Sequence, residues 1–578
     1  MISGALCFDN GWSPKNKAET IAKASSEFGL FEPRALYESE RLHIHSLERE
    51  GSGFRIFRST RPDGNMEWIL ADVGYSAQGE RLLAGASASA LGVPASLPGC
   101  WLSVYVDAQT EALHIANDDL GLAWLFIGRV PGGYVFSSHF GAVARNLAGK
   151  PSLNDEALLA ELAIARCFGE STIAKEIIIA PPGSAIELAP SELKIRGRQR
   201  YRYGDRFSGL TRDEKFRALD GVYERIVKEY VAGFGRETVM SLSGGYDSRT
   251  ALACLHRHGM RPPLFTFASA VGNEVREARR VAAKFGEATT VFDIPTTDWR
   301  DWTSRVDAIG TSGMLLFSGW CEPWLSAIRT KGTALVIGYL GDTITGKKLA
   351  KCEKYAEGGG WAEAWARWEM ANKGSLDSNL IRSDKKALIR DMVHESSKNE
   401  FREVDCAYPF QRVLHGDLYG RQARRVASQP NVLSRFVTPV LFFYDRELID
   451  FWCNLPFEDL YRQDLYYAYG QSRFPLLFPP RDDRGSRPSW LSRAARFTRG
   501  IVGRRREAPT MGVINHWAIM QRHRNEILAL AESTARVLDP YLDLGALVRY
   551  VNGEKELKVG ASEAIQAINL MILADAIW

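Results

Sequence analysis

Apolar and polar residues alternate over short runs between residues 99 and 188, and this pattern predicts antiparallel strands. Residues 102–107 and 134–138 are two such runs, and a third predicted strand, residues 176–180, ends where Pro181 and Pro182 remove backbone donors. One helix is predicted among these strands, beginning at Asn154. Its apolar residues share one helical stripe: Leu158, Leu159, Leu162, Ala163 and Ala165.

After residue 210 the pattern changes to strands that alternate with helices. It predicts a helix over residues 213–234, then strand 237–242, helix 249–258, strand 264–268 and helix 274–285. Such alternation is typical of a parallel, doubly wound sheet. From about residue 361 onward the pattern predicts a mainly helical tail.

A stretch rich in Arg, Tyr, Gly and Asp, residues 196–210, has no periodicity and predicts a linker. We therefore expect two domains. The first, over residues 1–205, is an α+β domain with an antiparallel β-sandwich and helices. The second, over residues 206–578, is an α/β domain with a parallel sheet and a largely helical tail.

The composition excludes disordered and collagen-like proteins, since 45% of the 578 residues are hydrophobic and 25% are charged. The 73 basic and 69 acidic residues leave a net charge of +4, which is too balanced to favour nucleic acid as the partner. The eight cysteines lack paired, zinc-type spacing, so we expect free thiols in a reducing compartment. With no leader-type N-terminus and no apolar run of membrane-spanning length, the sequence predicts a cytoplasmic protein without a transmembrane segment.

The strongest chemical signal is Ser243-Gly244-Gly245-Tyr246-Asp247-Ser248, which joins a predicted strand to a predicted helix. The glycines let the backbone approach a phosphate group, and the N–H groups of the loop and of the helix start attract its charge. Ser243 and Ser248 are candidate donors to phosphate oxygens. Asp247 would repel phosphates unless a metal ion lay between them, so we assign it to Mg²⁺. The alternative is a capped turn that binds no ligand.

A second loop, residues 341–348, matches the Gly-x-x-x-x-Gly-Lys spacing of a P-loop. Lys348 stands where a P-loop carries the Ser or Thr that binds Mg²⁺, so we reject that interpretation and expect Asp342 to be a second metal ligand. The preceding strand, residues 333–337, would bring Gly338 and Asp342 to the same sheet edge as Asp247.

These segments resemble the asparagine synthetase-like amide ligases, whose nucleotide site is a pyrophosphate loop with the motif Ser-Gly-Gly-x-Asp-Ser. In the first half, the motif order is similar to that of a class II glutamine-amidotransferase-like domain: Asp118-Asp119-Leu120-Gly121, Phe136-Ser137-Ser138, Leu153-Asn154-Asp155 and residues 177–183. In the second half, four segments follow the order of the synthetase domain: residues 242–248, 267–281, 338–342 and 438–445. The resemblance covers most of the chain, and the relatives include β-lactam synthetases and lasso-peptide cyclases.

The resemblance implies that ATP and Mg²⁺ bind in the second domain. Residues 243–248, including Tyr246, would hold the triphosphate, Leu242 and Ser269 would border the adenosine, and Gly338 would line the nucleotide. Asp247 and Asp342 would share Mg²⁺. A small-molecule, peptide or glycan carboxylate would attack the α-phosphorus, and ammonia or an amine would convert the acyl-adenylate to an amide. A homodimer is compatible with this resemblance.

Position 2 departs from the family pattern, because Ile stands where complete members carry an N-terminal Cys nucleophile. Internal Cys7 lacks the free α-amino group that serves such a nucleophile as its base, and we expect it to be a buried residue. The sequence therefore predicts no glutamine hydrolysis. The nitrogen should come from free ammonia or from a substrate amine.

Two further departures concern catalytic groups. Tyr339 replaces an acidic residue of the family, and it either takes part in proton transfer to the amine or packs against the sheet. Where relatives carry a catalytic Lys, this chain offers Arg481 and Arg484 as positive clamps, and Lys347 is close enough in sequence to Asp342 to reach pyrophosphate. Residues 481–506 are rich in arginine, either as a solvated helix or as a cover that binds an acidic substrate, a glycan carrier or a membrane surface.

Three alternatives stay open. An enzyme that transfers sulfur or nitrogen to transfer RNA would share the loop, but it would need paired cysteines and a basic face. A nucleotide-binding scaffold without catalysis is compatible with Ile2, Tyr339 and the missing Lys, although the presence of both Asp247 and Asp342 favours an enzyme. A lasso-type macrolactam cyclase is the third, but residues 338–342 lack the glycine-rich loop that we would expect of it.

Overall fold

The structure is a computed structural model. It describes residues 1–8, 11–27, 32–48, 55–60, 66–71, 99–107, 112–189, 192–197, 201–267, 273–292, 298–312, 322–356, 360–373, 376, 378–402, 404–478, 516–554 and 559–578.

Two antiparallel sheets make up the first region. Their strands are β1 Ile2–Cys7, β2 Glu32–Glu38, β3 Leu42–Glu48, β4 Arg55–Thr60, β5 Met66–Ala71, β6 Trp101–Val106, β7 Leu113–Asn117, β8 Phe126–Val130, β9 Gly133–Ser137, β10 Ile177–Ile179, β11 Ser184–Leu188 and β12 Leu193–Gly197. One sheet has the order β10-β8-β9-β1-β3-β2 and the other β12-β11-β7-β6-β5-β4. The predicted antiparallel strands are confirmed.

The two sheets share a hydrophobic core because successive side chains of a strand point to opposite faces. Ile2, Leu6 and Ile44 of the first sheet pack with Val104 and Ile115 of the second. The other face of the first sheet is covered by helix α1, Pro14–Ser26, whose Ala18 and Ile21 belong to the same core cluster as Ala5. Ser13 caps the start of helix α1, where its side chain accepts a hydrogen bond from the Asn16 N–H.

The helix predicted at Asn154 is present, but its packing differs from the prediction. After the short helix α2, Phe140–Ala144, helix α3 runs over Asp155–Ile164, and the Asn154 side chain accepts the Ala157 N–H. The pattern indicated one buried stripe, whereas every residue from 157 to 164 is buried. The reason is that helices of the second region pack around α3, and even the Glu161 carboxylate is enclosed, where it accepts bonds from Thr311 and Ser312.

The second region contains a parallel sheet, which confirms the predicted two-domain α+β and α/β layout. Its strands are β13 Thr238–Ser241, β14 Leu264–Phe267, β15 Thr289–Phe292, β16 Ala334–Ile337 and β17 Thr438–Leu441. They are ordered β15-β14-β13-β16-β17 and run parallel throughout. The short strands β15 and β17 lack a clear sequence pattern, and β17 tolerates Pro439 because it lies at the sheet edge.

The remaining helices surround this sheet and form the tail. They are α4 Arg212–Ile226, α5 Tyr246–Arg257, α6 Asn273–Ala283, α7 Trp299–Ile309, α8 Glu322–Arg329, α9 Gly341–Ile344, α10 Leu349–Cys352, α11 Trp361–Lys373, α12 Ser383–Phe401, α13 Gln411–His415, α14 Ser428–Leu433, α15 Arg446–Cys453, α16 Phe457–Leu460, α17 Asp464–Arg473, α18 His516–Arg522, α19 Arg524–Leu538, α20 Leu544–Val551 and α21 Ala561–Ile577. A π-helical segment, Gly416–Val426, continues α13. Among the helices described, none has the length and apolar character needed to cross a membrane.

The two regions are in close contact. Arg166 is fully buried and donates to both carboxylate oxygens of Glu369 and of Glu400, at 2.9–3.0 Å. Tyr203, in the predicted linker, is buried and forms an isolated bridge with Cys406. The linker therefore lacks periodicity because it packs irregularly against the second region, and the boundary at residue 205 stays a prediction.

Candidate functional site

The carboxyl ends of β13 and β16 lie side by side, and the chain continues from them in opposite directions. From β13 it proceeds to β14 and β15 on one side, and from β16 to β17 on the other. Open α/β sheets bind ligands in the crevice that such a reversal creates. The loop of residues 242–245 and the loop of residues 338–340 both enter this crevice.

The loop after β13 is open to solvent. Ser243 and Gly245 are exposed, and no side chain caps the N terminus of helix α5. The Gly245 N–H donates to Ser243 Oγ at 3.2 Å, and Ser248 Oγ donates to the Gly245 carbonyl at 3.1 Å. Helix α5 begins at Tyr246, three residues earlier than predicted, so Tyr246, Asp247 and Ser248 form its first turn. The groups left open to a ligand are the exposed Ser243 hydroxyl and the uncapped N terminus of α5, which is the positive end of a helix.

Gly244 and Arg249 fix the shape of this loop. Gly244 has a φ of +73°, and a Cβ there would lie 2.8 Å from Glu277 Cβ, so only glycine fits. Arg249 is buried beneath the loop and donates from Nε to the Gly244 carbonyl at 2.8 Å. Its Nη1 donates to the Leu477 carbonyl at 2.9 Å, which connects the loop to the residues that follow helix α17.

Helix α17 holds the first turn of α5 from the side. Tyr466 is buried, and its hydroxyl donates to Asp247 Oδ1 at 3.1 Å and shares a 2.9 Å hydrogen bond with Thr250 Oγ1. The hydroxyls of Tyr246 and Tyr467 also bond to each other. The orientation of Asp247 is thus set by α17 as well as by its own helix.

Asp247 faces the loop after β16. A Cβ on Gly341 would lie 2.5 Å from Asp247 Cγ, and one on Gly338 would lie 3.1 Å from Asp247 Cβ. Burial, followed by the nearby charge of Asp342, raises the pKa of Asp247 to about 7. The structure therefore brings Gly338, Asp342 and Asp247 together, as a shared sheet edge requires.

Two lysines contact Asp342. Its Oδ2 lies 3.1 Å from Lys347 Nζ and 3.2 Å from Lys348 Nζ, and Lys348 Nζ lies 3.9 Å from Asp417 Oδ2. Although burial opposes ionisation, Lys348 and then Lys347 hold the pKa of Asp342 well below its ordinary value. Arg421, whose Nη1 lies 3.1 Å from Asp417 Oδ1, adds a further positive charge.

Tyr339 is buried under this loop. Its hydroxyl donates to the Gln422 carbonyl at 3.1 Å, and burial raises the pKa of Tyr339 well above its ordinary value. Gln422 also donates from Nε2 to Thr343 Oγ1 at 2.7 Å, so the π-helical segment Gly416–Val426 supports the loop. Leu340 has a φ of +74°, which is strained for a residue with a branched side chain. This geometry matches the packing interpretation of Tyr339 better than proton transfer.

The other predicted residues divide into two groups. Leu242 is fully buried, and its N–H donates to the Phe265 carbonyl at 2.7 Å. Ser269, Arg481, Arg484 and the arginine-rich segment lie outside the described residues. Sequence reasoning did not find Tyr466, Asp417 or Gln422. They belong to helical segments without a motif, and only the fold brings them to the site.

The groups at this sheet edge, namely the loop of residues 243–248 and the carboxylates of Asp247 and Asp342, fit a nucleoside triphosphate and Mg²⁺. Carboxylate oxygens are the protein ligands that Mg²⁺ prefers, and one or two of them leave the other positions to phosphate and water. The part of the chain that the structure describes contains no group of three or more His, Cys, Asp or Glu side chains able to hold a metal ion. Asp247 and Asp342 are the two carboxylates at this edge that would hold a metal ion.

Ile2 and Cys7, the two positions from which we predict no glutamine hydrolysis, lie in the antiparallel region. Ile2 is fully buried on β1, which pairs with β9 and β3. Cys7 is buried at the end of the same strand, which confirms that it is a core residue.

No protein-family model and no curated protein matches this chain. Among solved structures, it is similar to glutamine phosphoribosylpyrophosphate amidotransferase from B. subtilis complexed with ADP and GMP, at 10% identity and a TM-score of 0.24, over 58% of this chain and 90% of that one. It is also similar to a structure described as the allosteric regulatory enzyme of purine biosynthesis, at 12% identity and a TM-score of 0.25, over 58% of this chain and 79% of that one. The first of these neighbours is named as an amidotransferase and the second as an enzyme, and scores this low carry no argument about the function of this chain.

Proposed function

We propose that the protein is an ATP-dependent, AMP-forming amide ligase of the asparagine synthetase type. The observation that carries this proposal is the pairing of an open loop before helix α5 with two neighbouring carboxylates, Asp247 and Asp342, at the switch point of a parallel sheet. Residues 243–248 hold the triphosphate, Leu242, Ser269 and Gly338 line the nucleoside, and Asp247 and Asp342 hold Mg²⁺.

In the first step, a carboxylate oxygen of the substrate attacks the α-phosphorus of ATP. A P–O bond forms to the substrate, the P–O bond to pyrophosphate breaks, and the acyl-adenylate remains bound. Mg²⁺, when bound, neutralises charge on the leaving phosphates. The Ser243 hydroxyl donates to a phosphate oxygen, and the Ser248 hydroxyl does so when it turns away from the Gly245 carbonyl. Lys347 stabilises negative charge beside Asp342.

In the second step, ammonia or a substrate amine attacks the carbonyl carbon. The C–N bond forms, the C–O bond to AMP breaks, and the nitrogen releases a proton to solvent water. We assign Tyr339 a positioning role, because its hydroxyl is engaged by Gln422 and its raised pKa makes its phenolate a poor resident base at neutral pH. Arg481 and Arg484 are assigned to charge stabilisation in place of the family Lys.

The test is the release of pyrophosphate and AMP from Mg²⁺-ATP in the presence of a panel of carboxylates, including aspartate with ammonia. Asp247→Ala is compared with Asp213→Ala, which removes an exposed carboxylate from the first turn of helix α4. We expect release that depends on one carboxylate, persists in Asp213→Ala and falls by roughly 10³-fold or more in Asp247→Ala.

Two results would argue against the proposal. Binding of ATP without pyrophosphate release for any acid would favour the nucleotide-binding scaffold. Failure to bind ATP at all would overturn the assignment of residues 243–248.

A further inference from the structure

Lys347 occupies the space beside the two carboxylates that we assign to Mg²⁺. Its Nζ lies 3.1 Å from Asp342 Oδ2, and its charge also acts on Asp247, where it favours the ionised form. A divalent cation shared by Asp247 and Asp342 would come into close contact with this ammonium group. Like charges at such a distance repel strongly in a partly buried site.

The neighbouring Lys348 is held differently. Its side chain is only 7% exposed, and Asp417 provides a second carboxylate, so it keeps a partner if Asp342 binds a metal ion. The side chain of Lys347 is 48% exposed. Asp342 is its one ion-pair partner among the described residues, and its flexible stem leaves it free to move.

We propose that Lys347 acts as a resident counter-ion, which excludes free divalent metal from the nucleotide-free site and transfers to the nucleotide phosphates when the metal and the nucleotide bind together. This inference rests on the proposed function, because it requires that Asp247 and Asp342 bind the metal. The triphosphate supplies the negative charge that Lys347 loses at Asp342, so the number of ion pairs is preserved. The metal ion consequently enters only with its nucleotide.

The experiment measures Mn²⁺ binding by electron paramagnetic resonance, with and without α,β-methylene-ATP. The variants are Lys347→Met, which keeps the length of the side chain and removes its charge, and Lys347→Arg, which keeps the charge. Lys351→Met is the matched control, since Lys351 is exposed nearby and no carboxylate of the described residues lies within ion-pair distance of it.

We expect the wild-type protein to bind Mn²⁺ weakly without nucleotide and one Mn²⁺ ion with the ATP analogue. Removing a unit charge a few ångströms from the metal should make nucleotide-free Mn²⁺ binding of Lys347→Met about tenfold tighter or more. Lys347→Arg and Lys351→Met should behave like the wild type. Binding of the ATP analogue should weaken in Lys347→Met, because the phosphates lose a cationic partner.

Different results would contradict the counter-ion role of Lys347 and the assignment of Asp247 and Asp342 to the metal ion. If all forms bind Mn²⁺ with the analogue, but Lys347→Met and the wild type bind it equally without nucleotide, the counter-ion role is wrong and the metal assignment stands. If no form binds Mn²⁺ even with the analogue, the metal assignment of the proposed function is wrong, and the inference falls with it. Thermal unfolding of each variant verifies that it is folded.

Discussion

The sheet face beneath helix α1 and the carboxyl edge of the parallel sheet both carry polar side chains, but they differ in access. Ser3, His43 and His45 lie on the face that α1 covers, and Ser3 Oγ and both histidine Nδ1 atoms have no hydrogen-bond partner among the described residues. At the parallel edge, Ser243 is exposed and Asp247 is partly so.

This difference has an energetic meaning. A buried polar atom without a partner costs about 1–3 kcal/mol wherever it lies. Beneath α1 no ligand can reach such an atom, so the free-energy cost stays in the folded protein. Burial in this place also lowers the pKa of His45. At the parallel edge the polar groups of Ser243 and Asp247 already have partners within the protein, and they are open to an incoming phosphate or cation. Polar side chains therefore mark a ligand site only where they coincide with access.

The largest effect that we predict concerns the closed part of the molecule. Arg166→Leu leaves the buried carboxylate of Glu369 and the partly buried carboxylate of Glu400 without their cation, and we expect the free energy of unfolding to fall by about 3–5 kcal/mol. Chemical denaturation followed by tryptophan fluorescence measures this change. If the first region only supports the second structurally, the Arg166→Leu molecules that remain folded should bind ATP as tightly as the wild type.

The matched control is Arg212→Leu, which removes an ion pair with Asp464 that is about half exposed on both sides. Such a pair contributes at most about 1 kcal/mol. Equal destabilisation by the two substitutions would show that Arg166 is not an important link between the regions.

The next largest effect concerns the open edge. Gly341→Ala places a methyl group within 2.5 Å of Asp247 Cγ, so either the carboxylate or the loop must shift by about an ångström. A displacement of that size in a catalytic group costs on the order of 100-fold in rate. We expect pyrophosphate release to fall by this factor while the melting temperature changes little.

Gly221→Ala serves as the comparison for this substitution, because Gly221 lies exposed in helix α4 and nothing lies within 4 Å of an added Cβ. Alanine favours the helix there by about 1 kcal/mol. Activity of Gly341→Ala equal to that of Gly221→Ala would show that the position of Asp247 is not critical, and the contrast between the open and closed regions would lose its functional meaning.

Much of this architecture could be predicted because it is local in sequence. The cap at Asn154, the turn after Pro182 and the strand before Ser243 each follow from a few adjacent residues, and all are present. The packing around α3 could not be predicted. Its full burial depends on helices more than 140 residues away, such as α12 and α21. A helix that is apolar on most sides gives no signal for which side remains open.

The candidate site divides in the same way. Asp247 and Asp342 follow predicted strands, so their meeting follows from the sheet topology. Tyr466 and Gln422 reach the site from helical segments whose sequences carry no motif, and their hydrogen bonds depend on tertiary packing. The start of helix α5 at Tyr246 also escaped prediction, because glycines and a serine before it do not indicate where the helical hydrogen bonds begin.

The smallest effect that we predict is a loss of stability caused by Asp247 at the open edge of the nucleotide-free protein. In the folded state the pKa of Asp247 is raised to about 7, whereas an unfolded aspartate titrates near 4. The folded state therefore retains a proton that the unfolded state releases, and stability decreases as the pH rises from about 4 to about 7. Asp247→Asn removes this titration and keeps an oxygen for the Tyr466 hydroxyl.

We expect nucleotide-free Asp247→Asn to be more stable than the wild type by about 1–2 kcal/mol at pH 8, with a difference that shrinks toward pH 4. Thermal unfolding at pH 5 and pH 8, in the presence of a chelator, measures this difference. Asp213→Asn, at an exposed site on helix α4, should show no such pH-dependent gain. A wild-type protein as stable as Asp247→Asn at pH 8 would mean that Lys347 already compensates the charge of Asp247. The Asp247 carboxylate at the open edge would then not lower the stability of the nucleotide-free protein.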